Sequence, residues 1–398
     1  MSSNCMMSKA NKSRFGTAVI VLVFFHCVLG TNAQVKVGAQ RTSDYIPLLK
    51  GKKVALVANQ TSLVGETHLL DTLISLGIKV SKVFTLEHGF RGSADAGEKV
   101  ESSFDPKTGV RMVSIYGKDK KPRTEEMRDI DVVVYDVQDV GARFYTYISS
   151  LHYIMEAVAE NKKSLLILDR PNPNGYYVDG PILETRYKSF VGMHPVPIVH
   201  GMTIGEYAQM INGEGWLSSK TKANIKVITC LKYTHSTHYE LTIKPSPNLP
   251  NMQSIRLYPS LCLFEGTNVS VGRGTDFPFQ VFGSPDMQGF DFAFVPQSRE
   301  GAKYPPHKDK NCFGVDLRNF DQHYINQINI DWISNAYEAS SNKGAFFTDF
   351  FQRLAGTEEL KNQIISGISE DVIRATWKPG IDNFKAIRKK YLLYPDFE

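Results

Sequence analysis

Short apolar runs alternate with segments of helical spacing through the first half of the chain. Residues 52–60 read as a strand that ends in the polar pair Asn59 and Gln60. From Glu66 to Leu76 the apolar residues Leu69, Leu70, Leu73, Ile74 and Leu76 recur at helical spacing, and Gly77 marks the stop. Further strands are expected at 80–85, 130–136 and 164–168. The run Val132-Val133-Val134 is β-branched, which predicts burial on both faces, as in a parallel sheet. Between the last two strands, 144–161 reads as a long helix with Tyr147, Leu151, Ile154, Met155 and Val158 on one side. Strands alternating with helices predict an α/β fold built on a doubly wound parallel sheet.

After Pro181 the pattern loosens. Thr203 stands where it would cap a helix over 204–210, and 225–231 reads as another strand. The segment 244–252 holds three prolines and cannot be regular structure, so a boundary is expected there, within about twenty residues. Beyond it, short strands such as 291–295 mix with helical patterns at 346–354 and 381–392. The expected organisation is one larger domain over 34–240 and a smaller α+β domain over 241–398. Residues 91–107 lack periodicity and read as a long loop that binds or covers something.

The first residues carry a different signal. Lys9, Lys12 and Arg14 precede an apolar stretch from Phe15 to Leu29, which is shorter than the roughly 20 residues a bilayer span needs. Thr31-Asn32-Ala33 then offers small residues for cleavage, so 1–33 is expected to be a secretory signal peptide. The expected mature protein is exported, periplasmic or secreted, with no stable membrane insertion. Losing three basic residues takes the formal charge from +5 to +2, and no basic run remains to suggest nucleic acid. Of five cysteines, Cys230, Cys262 and Cys312 remain; their spacing fits neither a zinc site nor a dense disulfide framework. Three buried thiols are the simpler expectation, with one disulfide left open.

Chemistry concentrates where strands end, the usual ligand position in an open α/β sheet. The 80–85 strand runs into Leu86-Glu87-His88-Gly89-Phe90-Arg91-Gly92. The next ends in Asp136-Val137-Gln138-Asp139-Val140-Gly141-Ala142-Arg143, and the next in Asp169-Arg170-Pro171-Asn172-Pro173. A later segment, Phe264-Glu265-Gly266-Thr267-Asn268 with Gly272-Arg273-Gly274-Thr275, adds a second carboxylate and arginine among glycines that allow close backbone approach. The Gly272-x-Gly274 pair lacks the lysine and spacing of a phosphate loop, no Gly-x-Ser-x-Gly elbow is present, and no zinc spacing occurs. Paired carboxyl groups with hydrogen-bonding neighbours suit sugar chemistry. From residues alone the reading is an exported α/β hydrolase of a polar substrate.

These segments, with Phe144-Tyr145-Thr146-Tyr147 and Pro247-Asn248-Leu249-Pro250, resemble the signature of the NamZ-type exo-β-N-acetylmuramidases over nearly all of the chain beyond Val37. Within the motifs Leu86 departs, where many members have proline. The resemblance implies a Rossmann-like domain, a smaller C-terminal domain closing the cleft, and no nucleotide or other cofactor or metal. It implies release of β-1,4-linked N-acetylmuramic acid from the non-reducing ends of peptidoglycan fragments, disaccharides or muropeptides.

By position, Glu87 is the candidate general acid. Glu265 is the second carboxylate, or a structural group, and Asp139 is the alternative. Arg143, Arg273 or Arg170 would meet the lactyl carboxylate of muramic acid; each is equally a candidate for a buried structural ion pair involving Asp139 or Asp169. His88, His200, Asn172, Asn248 and Asn268 are candidates for sugar hydroxyls or the acetamido group. Asp169 belongs to the same polar cluster. Tyr145 is a candidate for stacking on a sugar face, whereas Tyr147 sits on the apolar helical stripe. A non-catalytic peptidoglycan-binding module, or a hydrolase of another bond, is the competing expectation.

Overall fold

The computed structural model describes residues 34–87, 89–90, 103–218, 220–287, 289–322 and 325–398. The leader expected at 1–33, His88 and most of the 91–107 loop lie outside them.

Seven strands form the main sheet. In chain order they are β1 (Lys53–Ala58), β4 (Lys79–Thr85), β5 (Ser103–Phe104), β6 (Arg111–Ser114), β7 (Val132–Asp136), β8 (Ser164–Leu168) and β9 (Asn224–Ile228), with a small β2–β3 hairpin (Leu63–Val64, Thr67–His68) after β1. The spatial order is β5-β6-β4-β1-β7-β8-β9, and only the edge strand β5 is antiparallel. Counted along the chain, the six parallel strands lie in the order 3-2-1-4-5-6, the Rossmann arrangement. The chain winds outward from β1 to β6 and then returns to β7 on the other side of β1. The loops after the strands therefore part at this point and leave a crevice.

Alternation within the strands fixes the layers. Ala55, Val57, Val133, Tyr135, Leu165 and Ile167 face one side, and Val54, Leu56, Ala58, Val132, Val134, Leu166 and Leu168 the other. The first face packs against α4 (Tyr147–Glu160) and α5 (Ile204–Gly213). The second packs against α1 (Thr42–Leu49) and α2 (Leu69–Ser75). Each fully buried valine or leucine contributes about 1.5–3 kcal/mol. That explains why the central strands read as unbroken apolar runs. Thr203 caps α5 as expected: its Oγ accepts from the Glu206 amide while the Glu206 carboxylate accepts from the Thr203 amide.

The remainder builds an antiparallel sheet, β10-β12-β11 (Val281–Ser284, Cys312–Asp316, Phe292–Phe294), and a group of helices. Between β6 and β7 lies the one-turn α3 (Thr124–Met127). In the C-terminal part come α6 (Met252–Leu261), α7 (Asp331–Ala339), α8 (Phe350–Ala355), α9 (Glu359–Ile365) and α10 (Glu370–Arg388). Two expectations need correction. The helix expected at 346–354 begins only at Phe350. The last helix, expected at 381–392, spans Glu370–Arg388 and runs through Pro379 and Gly380, which were expected to precede it. A mid-helix proline costs about 3 kcal/mol. Here one side buries Ile373, Trp377, Phe384 and Arg388, and Gly380 lets Ile182 approach where a Cβ would meet it at 2.9 Å. Packing outweighs the proline.

The large hydrophobic core runs without interruption from Ala55 in the sheet to Phe384 in α10. The chain's end is tied into the same body. Tyr394 donates to Asp169 at 2.6 Å, the Leu393 amide to Glu206 at 2.8 Å and the His235 amide to the Pro395 carbonyl at 2.9 Å; Arg388 pairs with Asp396. Cys230, Cys262 and Cys312 are all buried free thiols. No helix among the described residues is long and apolar enough to cross a membrane.

Candidate active site

Glu87 follows β4 directly and is half-buried. Its Oε1 accepts from the Tyr116 hydroxyl at 2.7 Å and its Oε2 from Thr146 Oγ at 3.0 Å. Tyr116 stands two residues beyond β6, and Thr146 directly before α4. The chain leaving β4, β6 and β7 thus converges on one carboxyl beside the switch point of the sheet. A cavity opens there. Its walls include Glu87, Tyr145, Tyr147, Asn248, Glu265 and Arg273, with Tyr258 and Phe279 as further aromatic lining.

Glu265 reaches the cavity from the 3-10 turn Cys262–Gly266 that continues α6. Its Oε1 lies 2.5 Å from Arg273 Nε, and Cys262 Sγ approaches its Oε2 at 3.6 Å. The Arg273 guanidinium rests 5.0 Å from the Phe279 ring centroid. Burial pulls the Arg273 pKa down, but Glu265 outweighs it and the net shift is upward, so the arginine stays charged. Gly272 (φ +77°) and Gly274 (φ +83°) make the turn that carries it; a Cβ on Gly274 would meet Pro305 at 2.7 Å. Burial raises the Tyr145, Tyr258 and Cys262 groups well above their ordinary values, so the two phenols serve as neutral donors and the thiol is not an available nucleophile.

The structure divides the remaining expected site residues. Asn248 and Tyr145 line the cavity; Asn248 Nδ2 donates to the Gly301 carbonyl at 2.6 Å, and the Tyr145 hydroxyl to the Pro245 carbonyl at 3.0 Å. Tyr147, expected in the core, both packs there and lines the cavity, with Asn59 donating to its hydroxyl at 2.9 Å. Arg143 is elsewhere. Fully buried, it donates to the carbonyls of Pro181, Val196, Leu354 and Ala355. Arg170 holds Asp136 bidentately at 2.5 and 2.9 Å; the structural pairing left open for it is real, but with Asp136 as partner instead of Asp139 or Asp169.

Asp169 is buried beneath the sheet end, accepting from Thr203, the Gly205 amide and Tyr394, and burial raises its pKa to about 6. Asn172 bonds the Met202 carbonyl and the Asn174 amide, packed under Gly141. Asn268 approaches Asp286 at 3.4 Å outside the cavity wall. Asp139 accepts from the Gly141 amide at 2.6 Å and faces His200 at 4.0 Å, both buried behind the cavity lining. Burial raises Asp139 to about 7 and lowers His200 to about 3. Among the described residues no group of three His, Cys, Asp or Glu side chains is placed to hold a metal.

Tyr116 and Thr146, which both donate to Glu87, were missed by sequence reasoning, as were Tyr258, Cys262 and Phe279. Thr146 lies inside a segment already singled out. Tyr116 carried one usable signal, a polar-tipped aromatic just past the largely apolar run 110–115.

Two carboxyl groups of unlike surroundings in one aromatic-walled cavity are what sugar hydrolysis requires, and the class this fold and site define is a glycosidase. Comparison with known proteins carries this to a family. A model of the N-terminal part of the exo-beta-N-acetylmuramidase NamZ matches residues 54–253, and its C-terminal counterpart matches 256–394. The chain belongs to the NamZ family. It is 37% identical over 374 residues to the peptidoglycan beta-N-acetylmuramidase NamZ of Bacillus subtilis, covering 88% of this chain and 89% of that one. Two crystal structures of DUF1343 family proteins from Bacteroides fragilis share the fold. One has TM-score 0.86 and 49% identity, covering 92% of this chain and 100% of its own. The other has TM-score 0.77 and 28% identity, covering 90% and 99%.

Proposed function

We propose that the protein releases β-1,4-linked N-acetylmuramic acid from the non-reducing ends of peptidoglycan fragments, acting outside the cytoplasm after loss of residues 1–33. The larger catalytic part would span 34–240, and 241–398 would close the site. The observation that carries this reading is the bonding of Glu87. Its carboxyl is held by two hydroxyl donors in a cavity that also contains the Glu265–Arg273 pair.

In this reading Glu87 delivers the proton to the leaving glycosidic oxygen. Glu265 is the second carboxylate, fixed by Arg273. Arg273 is the cationic group among the described lining residues and the partner for the lactyl carboxylate that distinguishes muramic acid from glucosamine. Tyr145 and Asn248 serve the ring face and its polar substituents. The test is hydrolysis of a chromogenic β-N-acetylmuraminide beside the matching N-acetylglucosaminide, with wild type and Glu87→Gln. Release from the muraminide alone, lost in the variant, is the expected result. No release from either by folded wild type would overturn the reading in favour of wall binding without cleavage.

A further inference from the structure

Tyr304 is the most exposed large hydrophobic side chain among the described residues, at 87%. Single exposed aromatics are ordinary on protein surfaces. What sets this one apart is the loop that carries it. Residues 296–310 are fastened at three points to the two segments that carry the cavity residues Asn248 and Arg273. The Gln297 amide donates to the Gly274 carbonyl at 2.9 Å, beside Arg273. The Gly301 carbonyl accepts from the cavity residue Asn248 at 2.6 Å. His307 Nε2 meets the Asn268 carbonyl at 2.5 Å. Packing repeats the pattern on both sides of Tyr304. Pro305 lies against Gly274, and Gly301 (φ +81°) lies against Pro247, each where a Cβ would meet its neighbour at 2.7 Å.

A loop braced in this way holds its tip in a fixed place beside the segments that carry Arg273 and Asn248. The brace leaves the ring of Tyr304 in water. Such a ring has an apolar face and a polar tip, and it loses little conformational freedom on binding. The flat C–H face of a pyranose is its natural complement. An exo-acting site encloses the sugar that is released, so the next sugar of the chain emerges at the cavity rim.

We propose that Tyr304 is the platform for the saccharide on the leaving side of the scissile bond, a specificity contact that rests on the function proposed above. It is a binding residue, and it takes no part in proton transfer. The experiment compares two substrates that present the same N-acetylmuramic acid. One is its β-1,4-linked disaccharide with N-acetylglucosamine; the other is the β-fluoride, which has no leaving sugar to stack. Tyr304→Ala is expected to lower kcat/KM on the disaccharide about five- to tenfold, mainly through KM, and to change fluoride release less than about twofold. Tyr304→Phe keeps the ring and is expected to retain wild-type behaviour. Equal losses on both substrates, or no loss on the disaccharide, would overturn the platform while leaving the muramidase reading in place. Wild type inert on both substrates would overturn the muramidase reading and the platform with it.

Discussion

Tyr116 donates its hydroxyl to Oε1 of Glu87 at 2.7 Å, and it does so from the end of the strand next to the one that carries Glu87. The carboxyl is therefore oriented by a neighbour in the sheet as well as by its own loop. Phe190, 6.4 Å from the Tyr116 ring, limits that ring's movement. Removing the hydroxyl in Tyr116→Phe should lower kcat roughly tenfold, about the worth of one hydrogen bond. KM should stay within about twofold. Steady-state kinetics on the muraminide check this; an unchanged kcat would show that the hydroxyl does not act through Glu87.

Arg273 has two duties in the proposed reaction, fixing Glu265 and meeting a substrate carboxylate. Arg273→Met should lower kcat/KM by at least about 100-fold, because the Glu265 carboxylate then loses its charged partner. Arg273→Lys keeps the charge but loses the fork, and should recover only part of the loss. Comparing kcat/KM of the two variants on the muraminide is the check. Full activity in Arg273→Met would place the lactyl partner elsewhere.

Arg143 calls for the opposite outcome. Its guanidinium satisfies four buried carbonyls and does not line the cavity. Arg143→Met should destabilise the fold by about 3–5 kcal/mol, since several buried acceptors lose their donor together. The melting temperature should drop, while kcat per folded molecule stays near wild type. A stable but inactive variant would return Arg143 to the site.

Buried Asp139 predicts a pH signature. Burial raises its pKa from the ordinary 3.8 to about 7, so between those values the folded state holds a proton that the unfolded chain has lost. Stability from this group falls as pH rises through that window. His200, lowered to about 3 from 6.5 by burial and by Arg388 and Arg143, works the other way: the unfolded chain binds the extra proton, and stability rises with pH from about 3 to 6.5. In wild type the two largely cancel. Asp139→Asn removes the first term alone, so its stability relative to wild type should improve by about 2–3 kcal/mol between pH 5 and pH 8. Urea unfolding at the two pH values measures this. A difference that does not grow with pH would mean that Asp139 ionises freely in the fold.

Much of the parallel sheet was legible because burial on both faces forces contiguous apolar runs, and Val132-Val133-Val134 needs nothing from the rest of the chain to announce itself. Glu87 and Glu265 were legible because polar clusters next to glycines interrupt such runs. The partners of Glu87 were harder to see. Tyr116 and Thr146 lie 29 and 59 residues from it, and their meeting depends on strand order, which periodicity does not encode. Arginine identity was equally silent: Arg143 and Arg273 stand in similar glycine-bearing strings, yet one meets carbonyls and the other a carboxylate. The course of α10 through Pro379 was decided by distant Ile182 and the core, a tertiary override of local propensity.

The ties made by Leu393, Tyr394 and Pro395 have a consequence for the order of assembly. Asp169 and Glu206 lie under the carboxyl end of the sheet, and each draws a hydrogen bond from the last six residues of the chain. Until those residues have left the ribosome, Asp169 and Glu206 each lack one of their donors, and burying them carries a larger penalty. A nascent chain therefore stays short of its final packing until Leu393 and Tyr394 have emerged. A chain that loses its last few residues is held at that same unfinished stage, exposed to proteolysis however intact its cavity residues are.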